Sequence, residues 1–309
     1  MPCVRTEMAG TPRSGTRTPP ALRRSWLFVG GADTAAQGAA IHSGADVVIQ
    51  DLEDFTPPQR RAEARTLAAA LYAKCRAAGV LAAVRINPLD AGGRDDLAVV
   101  MPGAPDIVLL PKTVSATQIA ALDQTVAQAE TRHGIPIGAT ELVPNVETAV
   151  GLVETLAIAR SGPRVTACLV AAEDMAADLG AERHPDGQEL LHVRTRFLVD
   201  CRAAGVEAID CPYTFADAEG AEREARFARR LGYRCKSLVR PDHAWAINRA
   251  LTPSAEEVAK ARRIAETFEA ARTRGEDRVL VDGAWIEVPS YLTAKRLMTR
   301  AEAFAKRRR

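Results

Sequence analysis

Three acids fall within four positions at the end of an apolar run in VVIQDLED, residues 47–54: Asp51, Glu53 and Asp54. The run Val47-Val48-Ile49 has the composition of a strand buried on both faces of a parallel sheet, because covering helices leave it no polar face. Acids at its end therefore stand at the rim. Carboxylates gathered there are costly to hold together unless a cation, an arginine or a shared proton neutralises them. Helix capping by Asp51 and Asp54, with a solvated Glu53, accounts equally well for this stretch alone. Ionisable or polar residues recur, however, at the end of nearly every later strand-like run: Arg85 and Asn87, Lys112, Glu147, Glu173 with Asp174, Asp210, and Lys236. Each has an ordinary explanation singly. Asp210 can cap a loop, Lys112 can pair with an acid, and Glu147 suits the first turn of a helix, where the dipole favours it. Their recurrence points to a polar mouth on a parallel sheet.

The elements that must position these groups follow from apolar runs alternating with helical periodicity. Strands are predicted at 25–31, 47–54, 81–87, 106–112, ending at 147, 164–174, 206–213 and 234–239. Helices are predicted at 34–42, 58–78, from 95, 115–133, 148–160, 188–204, 217–231 and 242–250. The second enters on Pro57-Pro58 and leaves on Gly79, the usual asymmetry of helix ends. Eight strand-helix units predict an α/β fold, a TIM (β/α)8 barrel whose right-handed connections form one outer ring of helices. An open doubly wound sheet is disfavoured, because no GxGxxG follows the first strand. Residues 1–22, rich in Pro, Thr, Gly and Arg without periodicity, predict a disordered leader, with order beginning at Arg23. The barrel is expected over 23–252. Residues 253–309 read as a C-terminal extension: a long helix, a hairpin turning at Asp282-Gly283, and a last helix over 291–306, serving as a lid or an inter-subunit contact.

Composition excludes several function classes. At 309 residues and 47% hydrophobic, the chain can fill a barrel's core. A net charge of +2, with arginines interspersed among acids, argues against nucleic-acid and membrane partners and leaves small anionic ligands. No apolar run reaches the roughly 18 to 20 residues of a spanning helix, and the N-terminus has no signal-type apolar region. The six cysteines show no CxxC pair and no zinc-ligand spacing, as in a reducing, cytoplasmic setting.

RRSWLFVGG, VVIQDLED, VRIN, VLLPK, VPNVETAVGL, AAEDMAADLG, AAGVEAID and LGYRCKSLVRPDHAWAIN, in this order, resemble the HpcH/HpaI aldolase and citrate lyase family. The likeness is to its citrate lyase beta-subunit-like branch, which includes citryl-CoA, malyl-CoA and citramalyl-CoA lyases. The resemblance spans about 23–291. It implies a TIM barrel with Mg²⁺ held by Glu147 of the ETA motif and Asp174 of the ED motif. The residues agree in kind, since Mg²⁺ prefers oxygen ligands and takes only one or two protein carboxylates. By the same resemblance Arg85 clamps a substrate carboxylate or neutralises a developing enolate oxygen. Glu53 and Asp54 would orient metal-bound water, and Asp51 belongs to the substrate-binding set. Arg24, at the mouth of the first strand, Lys112 and Arg240 are the expected contacts for CoA phosphates or a substrate carboxylate. The implied reaction is Mg²⁺-dependent cleavage of a carboxylated 3-hydroxyacyl-CoA thioester to a 2-oxo acid and an acyl-CoA, or the Claisen-type reverse. An acid in the family's tail, given by an adjacent subunit, maps onto Glu287. A homo-oligomer, a trimer or a multiple of it, is therefore expected.

The sequence departs from the family pattern in four places. Glu287 replaces an aspartate and follows Trp285; Val239-Arg240-Pro241-Asp242-His243 replaces IHPxQ; an alanine, Ala171 or Ala172, replaces the FGxED glycine; and Gly30-Gly31 replaces a Pro-Gly, which is expected to loosen the first rim loop. All face substrate in the family while the metal pair is kept, so altered specificity on retained Mg²⁺ chemistry is expected. A metal-dependent aldolase or thioester hydrolase on another substrate, and a non-catalytic metal-binding subunit, are the alternatives. A Schiff base at Lys112 or Lys236 is disfavoured by the acid pair. His243 reads as a cap or surface group. His184 and His192 have no metal spacing, and Cys211 and Cys235 have no evident partner base.

Overall fold

The computed structural model describes residues 17–307, so most of the expected leader, with Cys3, lies outside the described residues. Arg17 is already anchored: its guanidinium donates to the Ala139 carbonyl at 2.5 Å and pairs with Asp106 at 3.0 Å. A 3₁₀ turn, Pro20–Leu22, follows. Order thus precedes Arg23, which itself grips Glu141 with both Nη atoms at 2.6 and 2.7 Å.

Short apolar runs form the inner wall. In chain order they are β1 (Ser25–Gly30), β2 (Val47–Asp51), β3 (Leu81–Arg85), β4 (Ile107–Leu110), β5 (Glu141–Val146), β6 (Ala167–Val170), β7 (Glu207–Asp210) and β8 (Cys235–Leu238). Each pairs in parallel with the next, and β8 returns to β1. This is a closed eight-stranded TIM barrel. Between the strands run α1 (Thr34–His42), α2 (Arg61–Ala77), α3 (Arg94–Val100), α4 (Ala116–Arg132), α5 (Ala149–Val153), α6 (Thr155–Ala159), α7 (Glu173–Leu179), α8 (Leu191–Ala204) and α9 (Ala218–Leu231), with α10 (Ala244–Leu251) after β8. Side-chain caps set several starts: Asp33 accepts from Ala36 N–H, Ser115 and Gln118 form a capping box, and Asp217 accepts from Gly220 N–H. The helix expected over 148–160 is interrupted at Glu154, whose ψ of 0° breaks the α geometry.

Side chains alternate between the two faces of a strand. Trp26 and Phe28, Val47 and Ile49, Leu81 and Ala83, Ile107 and Leu109, Val143, Leu169, Ile209 and Cys235 pack together as the barrel's interior. The same parity carried toward the strand ends puts Asp51, Arg85, Asn145 and Glu147 above that core. It puts Asp210 and Lys236 on the other face, toward the helices.

The chain divides into two compact units at Asn248/Arg249. The second contains α11 (Ala255–Thr273), the hairpin strands β9 (Val279–Val281) and β10 (Ala284–Ile286), and α12 (Val288–Arg307). Ser254 and Glu257 cap α11 reciprocally. Asp282 and Gly283 both take positive φ, 48° and 78°, as the tight hairpin turn demands. Phe268 stacks on Tyr291 with ring centroids 5.1 Å apart, and α12 packs on α11. α12 begins at Val288 rather than at the expected Tyr291, since Pro289 is tolerated in a first turn, where its missing N–H costs nothing. Among the described residues no helix is long and apolar enough to cross a membrane.

Candidate active site

A cavity of about 270 Å³ opens at the C-terminal end of the barrel. Its walls include Phe28, Asp54, Arg85, Asn145, Glu147 and Leu169, together with Ala171, Ala172, Glu173, Asp174, Pro212, Thr214 and Val239. Strand ends from most of the barrel converge here, as active sites of this fold do.

Arg85 is the organising cation. Its Nε donates to Asp51 at 2.9 Å and its Nη2 donates to the other Asp51 oxygen, a bidentate pair that is almost wholly buried. Asp51 is itself held by the backbone N–H of Glu53 (2.9 Å) and Phe55 (3.1 Å). With that edge fixed, Nη1 faces Glu53 at 3.2 Å and Glu147 at 3.9 Å. The guanidinium lies over the rings of Phe28 and Phe55, 5.0 and 5.7 Å from their centroids, which excludes water from one of its faces. Burial works against its charge, but Asp51, Glu53 and Glu147 outweigh this and keep it protonated.

Glu53 is bound by Lys112 Nζ at 2.7 Å. Lys112 follows β4 with a left-handed φ of 49°, an uncommon conformation for a side chain of this size. Burial raises the Glu53 pKa, with Arg85 and Lys112 opposing. Asp54 is 44% exposed and lies 4.0 Å from both Arg85 and Lys112.

Glu147 is buried like Asp51 and Glu53 but, unlike them, has no cation nearer than Arg85 at 3.9 Å. It is 1% exposed, and neither oxygen makes a hydrogen bond of good geometry. Burial pushes its pKa up to about 8; Arg85 opposes this, while Glu53 and Asp174 add to it. Asp174, in the first turn of α7, shares the cavity wall. A buried carboxylate whose nearest cation is 3.9 Å away, beside a second carboxylate, fits a hard divalent ion bound through oxygen. Among the described residues no group of three or more His, Cys, Asp or Glu is arranged around a point. Mg²⁺ needs no such cage, because it retains several waters.

Asp51, Glu53, Asp54, Arg85, Lys112, Glu147 and Asp174 are thus brought to one rim. The remaining expectations fare differently. Arg24 precedes β1 and so lies at the opposite, N-terminal end of the barrel, where its guanidinium and backbone N–H hold Asp46 at 2.9 and 2.7 Å; its placement at the mouth is corrected. Arg240 follows β8, is exposed, and pairs with Asp242 at 2.8 Å. Glu287 is exposed in the second unit, between β10 and α12. His243 is fully buried rather than at the surface, its Nε2 3.3 Å from the Ala216 carbonyl. Asp210 and Lys236 turn away from the mouth into a buried cluster: Lys236 Nζ meets Asp210 at 2.7 Å and Glu224 at 2.8 Å, and Arg194 meets Asp210 at 2.7 Å. Nor is the first rim loop loosened. Gly31 N–H donates to the Asp51 carbonyl at 2.9 Å, and a Cβ there would stand 2.7 Å from that oxygen.

Two groups were missed. Asn145 carries no charge but shares the parity of Val143 and Glu147, a spacing readable in VPNVE. Glu173, noted only as a rim acid, is fastened beside the cavity by Thr214 Oγ1 at 2.6 Å and Arg183 at 3.2 Å.

Comparison with known proteins gives a consistent result. The HpcH/HpaI aldolase/citrate lyase family model matches residues 24–241. The chain is 32% identical to the citrate lyase subunit beta of Leuconostoc mesenteroides subsp. cremoris over 91% of this chain and 94% of that one. It is 30% identical to a (3S)-malyl-CoA thioesterase of Cereibacter sphaeroides, over 91% and 95%. Among solved structures, CitE of Mycobacterium tuberculosis in complex with magnesium, acetoacetate and coenzyme A superposes with a TM-score of 0.74 at 27% identity, covering 92% of this chain and 99% of that one. The closed barrel, the rim of carboxylates around one arginine and these likenesses agree: the chain is an enzyme of the HpcH/HpaI aldolase/citrate lyase family.

Proposed function

We propose that this protein is a Mg²⁺-dependent carbon–carbon lyase, or the Claisen-type synthase in reverse, acting on a carboxylated 3-hydroxyacyl-CoA thioester. Glu147 and Asp174 hold the ion. The observation that carries this reading is Glu147, buried, with neither oxygen in a hydrogen bond of good geometry and no cation nearer than 3.9 Å, lining the same cavity as Asp174 and Arg85. Magnesium in the CitE neighbour supports it. Bound there, the ion would supply Lewis-acid polarisation of the substrate's carboxylate and hydroxyl oxygens.

The chain's own residues do the rest. Asp54, half-exposed on the cavity wall, takes the hydroxyl proton. The bond between the hydroxyl carbon and the thioester's α carbon then breaks. The hydroxyl carbon becomes the carbonyl of the 2-oxo acid, and the electron pair stays on the thioester as its enolate. Arg85 stabilises that enolate oxygen through Nη1, the corner Asp51 leaves free, and needs no reorganisation to do so. Glu53, clamped between Arg85 and Lys112, keeps the guanidinium aimed. Glu287 from a neighbouring copy protonates the α carbon, which makes the working enzyme a homo-oligomer, a trimer or a multiple of it. Lys112 and Arg240 bind the phosphates of CoA.

Incubation with malyl-CoA, citramalyl-CoA and citryl-CoA, with and without EDTA, tests this. A 2-oxo acid should appear in equal amount with acyl-CoA, and EDTA should abolish it. Free thiol without a 2-oxo acid would instead establish thioester hydrolysis, the reading favoured by the (3S)-malyl-CoA thioesterase relative.

A further inference from the structure

We infer that Asn145 is a specificity-determining residue that hydrogen-bonds an oxygen on the C3 substituent of the 2-oxo acid fragment. Asn145 lies on the inward face of β5, two residues deeper than Glu147, or about 6–7 Å along the strand. It is 1% exposed and lines the cavity, opposite Leu169 in the β5–β6 pairing. Its backbone carbonyl accepts from Thr113 N–H at 2.9 Å. In its side chain neither Oδ1 nor Nδ2 has a hydrogen-bond partner. Buried polar groups are rarely left so, because each forfeits its hydration without recompense. An unpaired donor and acceptor at the floor of a substrate cavity point to a ligand that completes them.

The surroundings narrow the ligand. Phe28, Leu169 and Val239 make the neighbouring wall apolar, so the amide is the neutral polar group at this depth, below the charged rim. Resting on the functional reading above, the carboxylate and carbonyl of the 2-oxo acid are held at Glu147 and Asp174, and what reaches Asn145 is the substituent on C3. A hydrocarbon there leaves both amide atoms unpaired, whereas a hydroxyl can accept from Nδ2 and donate to Oδ1, and a second carboxylate can accept from Nδ2. A site built around such a bond rejects the analogue lacking it far more strongly than an apolar pocket rejects an extra group.

Binding of pyruvate, hydroxypyruvate and oxaloacetate to the Mg²⁺-loaded protein, measured by calorimetry, tests the inference. The wild type should bind hydroxypyruvate or oxaloacetate at least tenfold more tightly than pyruvate, the two arms separating hydroxyl from carboxylate. Asn145→Leu should erase that ratio with Mg²⁺ uptake unchanged, and the ligand-free variant should melt no lower than the wild type, because two unpaired polar atoms are removed. Asn145→Asp, of the same size, should weaken oxaloacetate more than hydroxypyruvate through charge repulsion. A ratio unchanged in both variants, or a wild type that prefers pyruvate, overturns the inference while leaving the lyase reading in place. A wild type that takes up Mg²⁺ but binds none of the three acids overturns the inference, and one that in addition cleaves none of the three thioesters overturns the lyase reading as well.

Discussion

Two charge clusters, built from the same residue types, stand at the strand ends of this barrel and differ in one respect. Behind β7 and β8, Arg194 and Lys236 meet Asp210 and Glu224, two cations for two carboxylates, all buried and all in contact. At the mouth, Arg85 and Lys112 stand against Asp51, Glu53, Asp54 and Glu147, with Asp174 on the same cavity wall, and Glu147 has no cation nearer than 3.9 Å. The first is closed and holds α8 and α9 to the wall. The second is incomplete, and its excess of negative charge is what a divalent ion would neutralise. A saturated cluster reads as structure; an unsaturated one at a cavity reads as a site.

The sharpest way to break this comparison is to remove the carboxylates left in excess. Glu147→Gln and Asp174→Asn should each abolish Mg²⁺ uptake by calorimetry and lower lyase turnover by roughly 10³-fold or more, the loss of a Lewis acid worth several kcal/mol. Neither should lower the melting temperature of the ion-free protein. Lys236→Met should do the reverse: opening a buried ion cluster costs about 3–5 kcal/mol, visible as a lower urea midpoint, with turnover of the folded fraction kept. Arg85→Lys retains the charge but loses the fork on Asp51, and turnover should fall roughly 10²-fold with a smaller change in stability.

The smallest effect is one of pH. Arg194 and Lys236 outweigh burial to hold the Asp210 carboxyl below its ordinary range, and Arg164 does the same for Glu130. Groups with depressed folded pKa values stabilise the fold above their unfolded values, and that contribution disappears as pH falls through the folded ones. Chemical denaturation should therefore show stability falling below about pH 4, with a shallower acid limb in Asp210→Asn. An unchanged limb would mean that Asp210 contributes nothing to the acid transition.

The barrel and much of its mouth were legible in the sequence because both rest on local pattern. Apolar runs alternating with helical periodicity give the strand count, and an ionisable residue at the end of nearly every run marks the rim. What failed was orientation. Asp210 and Lys236 end their strands as Asp51 and Arg85 do, but they sit out of step with Ile209 and Cys235, the inward residues of the same strands. That parity could have been counted. Arg24 was misassigned to the far end of its strand, an error that the rule of C-terminal active sites would have caught. The burial of His243 and the tightness at Gly31 depend on contacts from distant segments and left no local mark. Asn145 stands two residues inside its strand's end, whereas the residues that mark the rim in sequence are the ones at the very ends of the runs.

Gly31 has no side chain to offer, yet the aim of the guanidinium passes through it. Adding even a methyl at this position would press on the carbonyl of Asp51, the residue whose carboxylate sets the angle of Arg85. The reach of the arginine is thus tuned from the neighbouring strand's exit, and variation in this first loop would alter chemistry without touching any group that performs it.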